Sequence, residues 1–198
     1  MFDILIKPPI YIPKMAKKGM KAKVENIVSS ITLGTDIDLE KLARSVKDID
    51  NPNRFPGVIY RVSDPKLAML IFRTGKVICS GARSRSEINR AVEKLLKKFR
   101  EGGVKITEKP KIEIQNIVAS AILNFKVNLD LLAIECENTE YEPEQFPGLI
   151  FRLDEPKTVM LVFKSGKMII TGAKTPKQAS IAAEKTRDVI KDVNAIIK

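Results

Sequence analysis

Phe55-Pro-Gly-Val-Ile-Tyr-Arg61 and Phe146-Pro-Gly-Leu-Ile-Phe-Arg152 are one segment written twice. Downstream, Leu70-Ile-Phe-Arg-Thr-Gly-Lys76 returns as Leu161-Val-Phe-Lys-Ser-Gly-Lys167. Upstream, Asn26-Ile-Val-Ser-Ser-Ile31 returns as Asn116-Ile-Val-Ala-Ser-Ala121. The offset is 90 residues upstream and 91 from Phe55 onward, so the second copy has gained one residue in the loop between them. Across 55–83 against 146–174, 15 of 29 positions are identical and most others exchange like for like, which chance does not produce. Self-similarity at a fixed period marks a duplicated structural unit. The 198-residue chain thus divides into an N-terminal extension, 1–23, a first repeat, 24–109, and a second repeat, 110–198.

Periodicity predicts the elements of one unit. Val24–Leu33 alternates and reads as a strand, and Leu39-Glu-Lys-Leu-Ala43 has short helical spacing. Pro56–Ser63, Leu67–Arg73 and Lys76–Gly81 are β-rich runs separated by Asp64-Pro65 and Thr74-Gly75, which is hairpin punctuation. Ser84-Arg-Ser-Glu87 reads as a capping box. It precedes apolar residues at Ile88, Ala91, Val92, Leu95, Leu96 and Phe99, a long amphipathic helix ended by Gly102-Gly103. Thr175-Pro-Lys-Gln178 repeats the device with proline at the first helical position. The expected fold class is α+β. Each unit is a strand, a short helix, a three-stranded meander and a long helix, and two units share one antiparallel sheet with helices on one face only.

Strand alternation assigns side chains to faces. If Met69, Ile71 and Val77 pack under the long helix, the helix-free face carries Asn26, Val28, Leu70, Phe72, Ile78 and Ser80, with Ser30 beside them. The second unit supplies Asn116, Val118, Leu161, Phe163, Ile169 and Thr171. So broad an apolar face should not meet water in a monomer, and is expected to bind something.

Composition narrows what that is. The chain is 44% apolar and 30% charged, which excludes wholesale disorder. It has no histidine, so no imidazole base or ligand is available. Its two cysteines, Cys79 and Cys136, make neither a disulfide framework nor a thiolate zinc site and read as buried residues of a reducing compartment. No run is long enough to span a membrane, and Asp3, Lys7, Pro8 and Pro9 interrupt the opening segment, so a soluble intracellular protein is expected. Neither a paired-carboxylate motif nor a phosphate loop points to an enzyme. No cofactor and no metal are expected. The net charge of +11 is uneven: +5 in residues 1–23, +6 in 24–109 and zero in 110–198. A basic balance suits a polyanion. The second unit instead carries the acidic run Glu135-Cys-Glu-Asn-Thr-Glu-Tyr-Glu-Pro-Glu144.

The repeated motifs, taken together, resemble the TATA-box-binding protein family over about nine-tenths of the chain. The short extension is similar to archaeal members, although those are often acidic overall and this chain is basic. The resemblance implies a tandem-duplicated saddle, one curved antiparallel sheet with long helices on its convex face. It implies a general transcription factor that binds the TATA box of double-stranded DNA in the minor groove, bends it by phenylalanine insertion and nucleates the pre-initiation complex for RNA polymerase. The family is itself a standing example of minor-groove binding by apolar wedges.

Residue by residue, the resemblance makes Phe55 with Phe72 and Phe146 with Phe163 two wedge pairs. Asn26, Val28, Leu70, Ile78, Ser80, Asn116, Val118, Leu161, Ile169 and Thr171 become the groove floor. Arg61, Thr74, Lys76, Arg83, Arg152, Ser165, Lys167 and Lys174 become the phosphate rim. Tyr141, Glu142 and Glu144 resemble the loop that meets the transcription factor B family; the first unit has Asp50-Asn-Pro-Asn53 there. Seven basic residues against Glu87 and Glu93 over 83–100 should point away from the saddle, toward upstream DNA or a regulator. The implied setting is the cytoplasm of an archaeal-type cell, at the nucleoid, without a membrane. The alternatives are a DNA-repair or RNA-binding module on a related half-saddle sheet. RNA-binding sheets use a different aromatic motif, and a glycosylase needs a catalytic domain for which the chain has no room.

Overall fold

The computed structural model describes residues 19–46, 49–50 and 55–197. Most of the basic extension, and Asn51 to Asn53 of the first unit's loop, lie outside the described residues. The first unit runs β1 (Lys23–Thr32), α1 (Leu39–Ser45), β2 (Ile49–Asp50), β3 (Gly57–Val62), β4 (Leu67–Phe72), β5 (Lys76–Ala82) and α2 (Arg85–Glu101). The second runs β6 (Lys111–Ile122), β7 (Lys126–Val127), α3 (Leu129–Glu135), β8 (Thr139–Glu140), β9 (Gly148–Leu153), β10 (Thr158–Phe163), β11 (Lys167–Ala173), α4 (Pro176–Asp192) and β12 (Ile196–Ile197). The strand–short helix–meander–long helix order is the one periodicity predicts. Strands β2, β8 and the β7–β12 pair are additions of two residues each, too short to show any period.

Among the described residues, ten strands join in one antiparallel sheet, ordered β2-β3-β4-β5-β1-β6-β11-β10-β9-β8. The order reads the same for either copy because β1 and β6 pair in the middle. Ile27 lies opposite Ile117, with Asn26 opposite Val118 and Val28 opposite Asn116, so a pseudo-dyad passes between the two isoleucines.

Both long helices lie on one side. Met69, Ile71, Val77 and Cys79 of the first unit, and Met160, Val162, Met168 and Ile170 of the second, are fully buried beneath them. The two halves of this core are packed differently. Helix α2 buries Ile88, Leu95 and Phe99 where α4 buries the smaller Ala179, Thr186 and Ile190, while β5 buries Val77 and Cys79 where β11 buries the larger Met168 and Ile170. Close packing demands this compensation, since an unfilled or overfilled layer costs about 1–3 kcal/mol.

The helix starts also differ. Thr175 and Gln178 form a complete capping box under Pro176. Ser84 Oγ accepts the Glu87 N–H, but the Glu87 carboxylate accepts from the Arg83 N–H instead of the cap's own, so the first box is half made. On α2, Arg85, Arg90, Lys94, Lys97 and Arg100 are exposed, and Arg85 reaches back to the sheet, donating to the Ile112 carbonyl of β6 at 3.3 Å. Lys94 Nζ donates to the Asp64 carbonyl, and its twin Lys185 to the Glu155 carbonyl, tying each long helix to the turn of its own meander.

Candidate nucleic-acid interface

Among the described residues, no helix lies over the other sheet face. Along β4, β5, β10 and β11 burial alternates residue by residue, and Leu70, Phe72, Ile78, Ser80, Leu161, Phe163, Ile169 and Thr171 are all half-buried on the open side. Asn26, Val28, Asn116 and Val118 share that face at the centre. Ser30 also lies there but is only 7% exposed, because Gln115 covers it.

An aromatic pair stands at each end. Phe55 and Phe72 have ring centroids 5.8 Å apart at 53°, and Phe146 and Phe163 are 5.9 Å apart at 65°. Phe55 is 38% and Phe146 39% exposed. Phe72 pairs across the ladder with Gly57, and Phe163 with Gly148. Both rings of each pair close over their glycine: a Cβ on Gly148 would fall 2.7 Å from Phe146 and 3.0 Å from Phe163. The glycine of each Phe-Pro-Gly is what leaves room for the ring pair, tilted in the first unit and edge-to-face in the second, on an open sheet.

At the centre each asparagine sits where the neighbouring strand bulges. Gly81, at φ +108°, donates its N–H to Asn26 Oδ1 at 2.7 Å, and Gly172, at φ +96°, donates to Asn116 Oδ1 at the same distance. A backbone N–H can only donate, so both carboxamides are held with oxygen inward and NH2 outward. One N–H of Asn26 reaches Ser80 Oγ at 3.3 Å, and one of Asn116 reaches Thr171 Oγ1 at 3.0 Å. Flanking them, Ser120 Oγ donates to Glu25 Oε1 at 2.7 Å, and Gln115 Nε2 donates to Ser30 Oγ at 2.7 Å. The Ser120 hydroxyl, then Lys23 at 3.3 Å, hold the Glu25 carboxyl below the usual carboxylate range.

The eight expected rim residues, Arg61, Thr74, Lys76, Arg83, Arg152, Ser165, Lys167 and Lys174, are all exposed. Two of them are engaged at the outer edges. Arg61 Nε lies 3.6 Å from Asp50, and Arg152 Nη2 lies 2.9 Å from Glu140. Exposed pairs of this kind are worth about 0.2–1 kcal/mol, little enough for a phosphate to displace. Lys66 and Lys157 line the recesses beside Arg61 and Arg152 and escaped the sequence reading; their position after each meander turn could have flagged them.

Glu142 and Glu144 are exposed and Tyr141 is half-buried against the core. Both Gln145 and Phe146 donate their N–H to the Glu142 carbonyl at 2.9 Å, so the acidic loop runs directly into the second aromatic pair. Between Val127 and Phe151 the sequence has six carboxylates and no Lys or Arg. In that stretch Ile134 of α3 is 74% exposed where the first unit has Arg44, a feature that periodicity did not single out. Among the described residues, no group of three or more His, Cys, Asp or Glu is arranged to hold a metal, and no helix is long and apolar enough to cross a membrane.

A duplicated antiparallel sheet with helices on one face, and an open face ended by aromatic pairs, is the α+β saddle. The sequence profile described as "Transcription factor TFIID (or TATA-binding protein, TBP)" matches residues 21–102 and again 111–193. The TATA-box-binding protein of Aeropyrum pernix is 47% identical over 178 residues, 89% of this chain and 88% of that protein. That of Archaeoglobus fulgidus is 46% identical over 86% of this chain and 95% of its own. The solved structure of Methanococcus jannaschii TBP superposes with a TM-score of 0.81 at 47% identity, covering 87% of this chain and 99% of that one. The chain belongs to the TATA-binding protein family.

Proposed function

We propose that this protein is a general transcription factor whose open sheet face binds the TATA box in the minor groove. The observation that carries the reading is the polarity of the floor. Both central carboxamides are locked with donors outward, on a face otherwise lined by Val28, Val118, Leu70, Leu161, Ile78 and Ile169. The minor groove of A·T pairs offers only acceptors, adenine N3 and thymine O2, whereas G·C adds the guanine amine. Outward N–H groups satisfy the former. An apolar floor leaves the latter unpaired, so selection works by rejection as much as by attraction.

The two phenylalanine pairs enter the stack at the ends of the site and bend the duplex, because a flat apolar ring replaces part of the stacking it disrupts. Arg61, Thr74, Lys76 and Arg83, with Arg152, Ser165, Lys167 and Lys174, hold the phosphates and set the register without reading sequence. The complex nucleates the initiation assembly for RNA polymerase. Tyr141, Glu142 and Glu144 take a basic surface of a transcription factor B protein. The dyad-related DNA contacts alone orient the complex weakly, so this one-sided acidic loop helps set direction.

The test compares duplexes with and without a TATA element and a single-stranded RNA of the same length. Preference for the TATA duplex by about 10³-fold or more at physiological salt is expected. Equal affinity for all three, or a preference for the RNA, overturns the reading.

A further inference from the structure

The two long helices differ in the charge they carry on their backs. Over 17 residues α2 holds six Lys or Arg against three Glu, and α4 holds four against three carboxylates. Arg90, Lys97 and Lys98 of α2 stand where α4 has Ile181, Asp188 and Val189, so the shared fold does not require those cations. Arg90, Lys94 and Lys97 follow at i, i+4 and i+7, one stripe of exposed side chains. Beside the stripe, Lys94, Lys97 and Lys98 join Arg61 around a recess at the meander turn, whose one lining carboxylate, Glu101, lies 3.4 Å from Lys98. The other carboxylates nearby are Asp64, 3.9 Å from Lys94, and Glu93 on the helix itself. The back of α4 is occupied by the chain's own residues 19–22: the Met20 N–H donates to Glu184 and the Ala22 N–H to Ser180, and no residue over 178–190 is exposed. On α2, Asn89, Arg90, Glu93, Lys94 and Lys97 are all exposed. The exposed large apolar residues among those described are Phe55, Ile122, Ile134 and Phe146, and none of them is on α2.

We propose that the back of α2, with the recess it shares with Arg61, is a second, sequence-independent surface for double-stranded DNA, holding a segment other than the one in the saddle. A protein partner is anchored by aromatic or aliphatic side chains, which this face lacks, whereas a phosphate backbone asks only for cations. The stripe from Arg90 to Lys97 runs about 10 Å at 1.5 Å per residue. A duplex carries one phosphate per ~1.7 Å of axis, so several lie within reach of these long side chains. The duplex in the saddle is not this partner. Minor-groove wedges kink DNA toward its major groove, so its arms lean away from the protein, and α2 lies on the other side of the sheet. That step rests on the minor-groove reading of the open face. Helix α2 is about 10 Å across, and the Debye length at 0.1 M salt is also about 10 Å. Cations on its far side are therefore largely screened from a saddle-bound duplex and stay available to attract another. One protein then bridges two duplex segments.

The experiment saturates the full chain with a TATA duplex carrying one dye and adds a random-sequence duplex carrying another. Two-colour fluorescence correlation follows their coincidence as salt is raised. The intact protein should recruit the random duplex at about 50 mM salt and bind it about 10²-fold more weakly at 200 mM, the change expected for four phosphate contacts. Arg90→Glu with Lys97→Glu should weaken recruitment at least about tenfold and lower the slope of log affinity against log salt by about two. Its TATA affinity should match that of the control, which also shows that it folds. The control, Lys126→Glu with Lys177→Glu, makes the same change in net charge at two exposed lysines of the second unit and should keep recruitment within about twofold. An intact protein that takes no second duplex, an α2 variant that still recruits it, or an equal loss in the control overturns the proposal. Poly-glutamate that displaces the random duplex at a lower concentration of charge than unlabelled duplex assigns the face to an acidic protein and also overturns it. A protein without preference for the TATA duplex overturns the minor-groove reading instead, and the two double variants compared on random duplex alone then still decide the role of α2.

Discussion

Replacing Gly148 by alanine asks whether the second aromatic pair acts through its position. The new Cβ would lie 2.7 Å from Phe146 Cε1 and 3.0 Å from Phe163 Cε1, against a comfortable carbon–carbon separation of about 3.5–4.0 Å. Each ring must therefore retreat by roughly 0.5–1 Å. Both obstacles are side chains, and Phe146 is 39% exposed, so the rings can swing into solvent. The fold should lose no more than about 1 kcal/mol, or roughly 2–4 °C in melting temperature for a chain of this size. Gly57→Ala is the internal contrast. There the Cβ meets the Ile71 carbonyl oxygen at 2.6 Å, which is sheet backbone, so stability should fall by about 1–3 kcal/mol. For Gly148→Ala the loss should appear in DNA binding: affinity for a TATA duplex down about tenfold, near 1.4 kcal/mol, with a smaller bend. Fluorescence anisotropy, energy transfer between duplex ends and a thermal melt measure the three quantities. Wild-type affinity and bend in Gly148→Ala would refute the claim that this glycine seats the wedges.

Phe163→Ala should keep the fold, since the ring lies on the open face, yet weaken TATA binding by a few kcal/mol of lost stacking and reduce end-to-end energy transfer; unchanged affinity rules out the wedge role. Asn26→Ala or Asn116→Ala should cost about 1–3 kcal/mol on A·T sites and little on random duplex, read by competition titration. An equal loss on both would make the asparagines mere supports for the Gly81 and Gly172 bulges. Glu142 and Glu144 changed together to lysine should leave TATA affinity within about 1 kcal/mol while sharply weakening a ternary complex with a transcription factor B protein; parallel losses in a gel-shift titration count against the loop's role. The Glu25 carboxyl should titrate by NMR below the ordinary glutamate value, and Ser120→Ala should raise it, because the hydroxyl is the largest cause of its depression. A depressed carboxylate contributes stability that is present above its unfolded value and lost as pH falls through the folded one, so Ser120→Ala should flatten the acid limb of stability near that carboxyl's range.

Much of the fold was legible in the residues because it rests on local periodicity. Alternation over 67–72 and 158–163 placed Phe72 and Phe163 on the face opposite Met69 and Met160, and the structure has them half-buried there. The long helices were legible from their caps and apolar spacing. The edge strands were not, since two residues carry no period. The half-made box at Ser84 was not either, because the pattern shows that Glu87 can reach back but not which N–H it will choose. The reading of Arg61 and Arg152 as rim cations did not anticipate Asp50 and Glu140 beside them, since each partner lies on a different strand.

The duplication and the face each floor residue occupies were decided by the sequence by itself, since both follow from repeat spacing and the two-residue period of a strand. Which way a polar group points was decided only by tertiary structure. Asn26 and Asn116 read as generic amides until the N–H groups of Gly81 and Gly172, 55 and 56 residues away along the chain, fix their oxygens inward. Glu25 and Gln115 read as unremarkable neighbours of those asparagines until Ser120 and Ser30 arrive from the other copy. Hydrogen-bond direction depends on partners brought together by the β1–β6 seam and its bulges, and no local pattern in either strand encodes them.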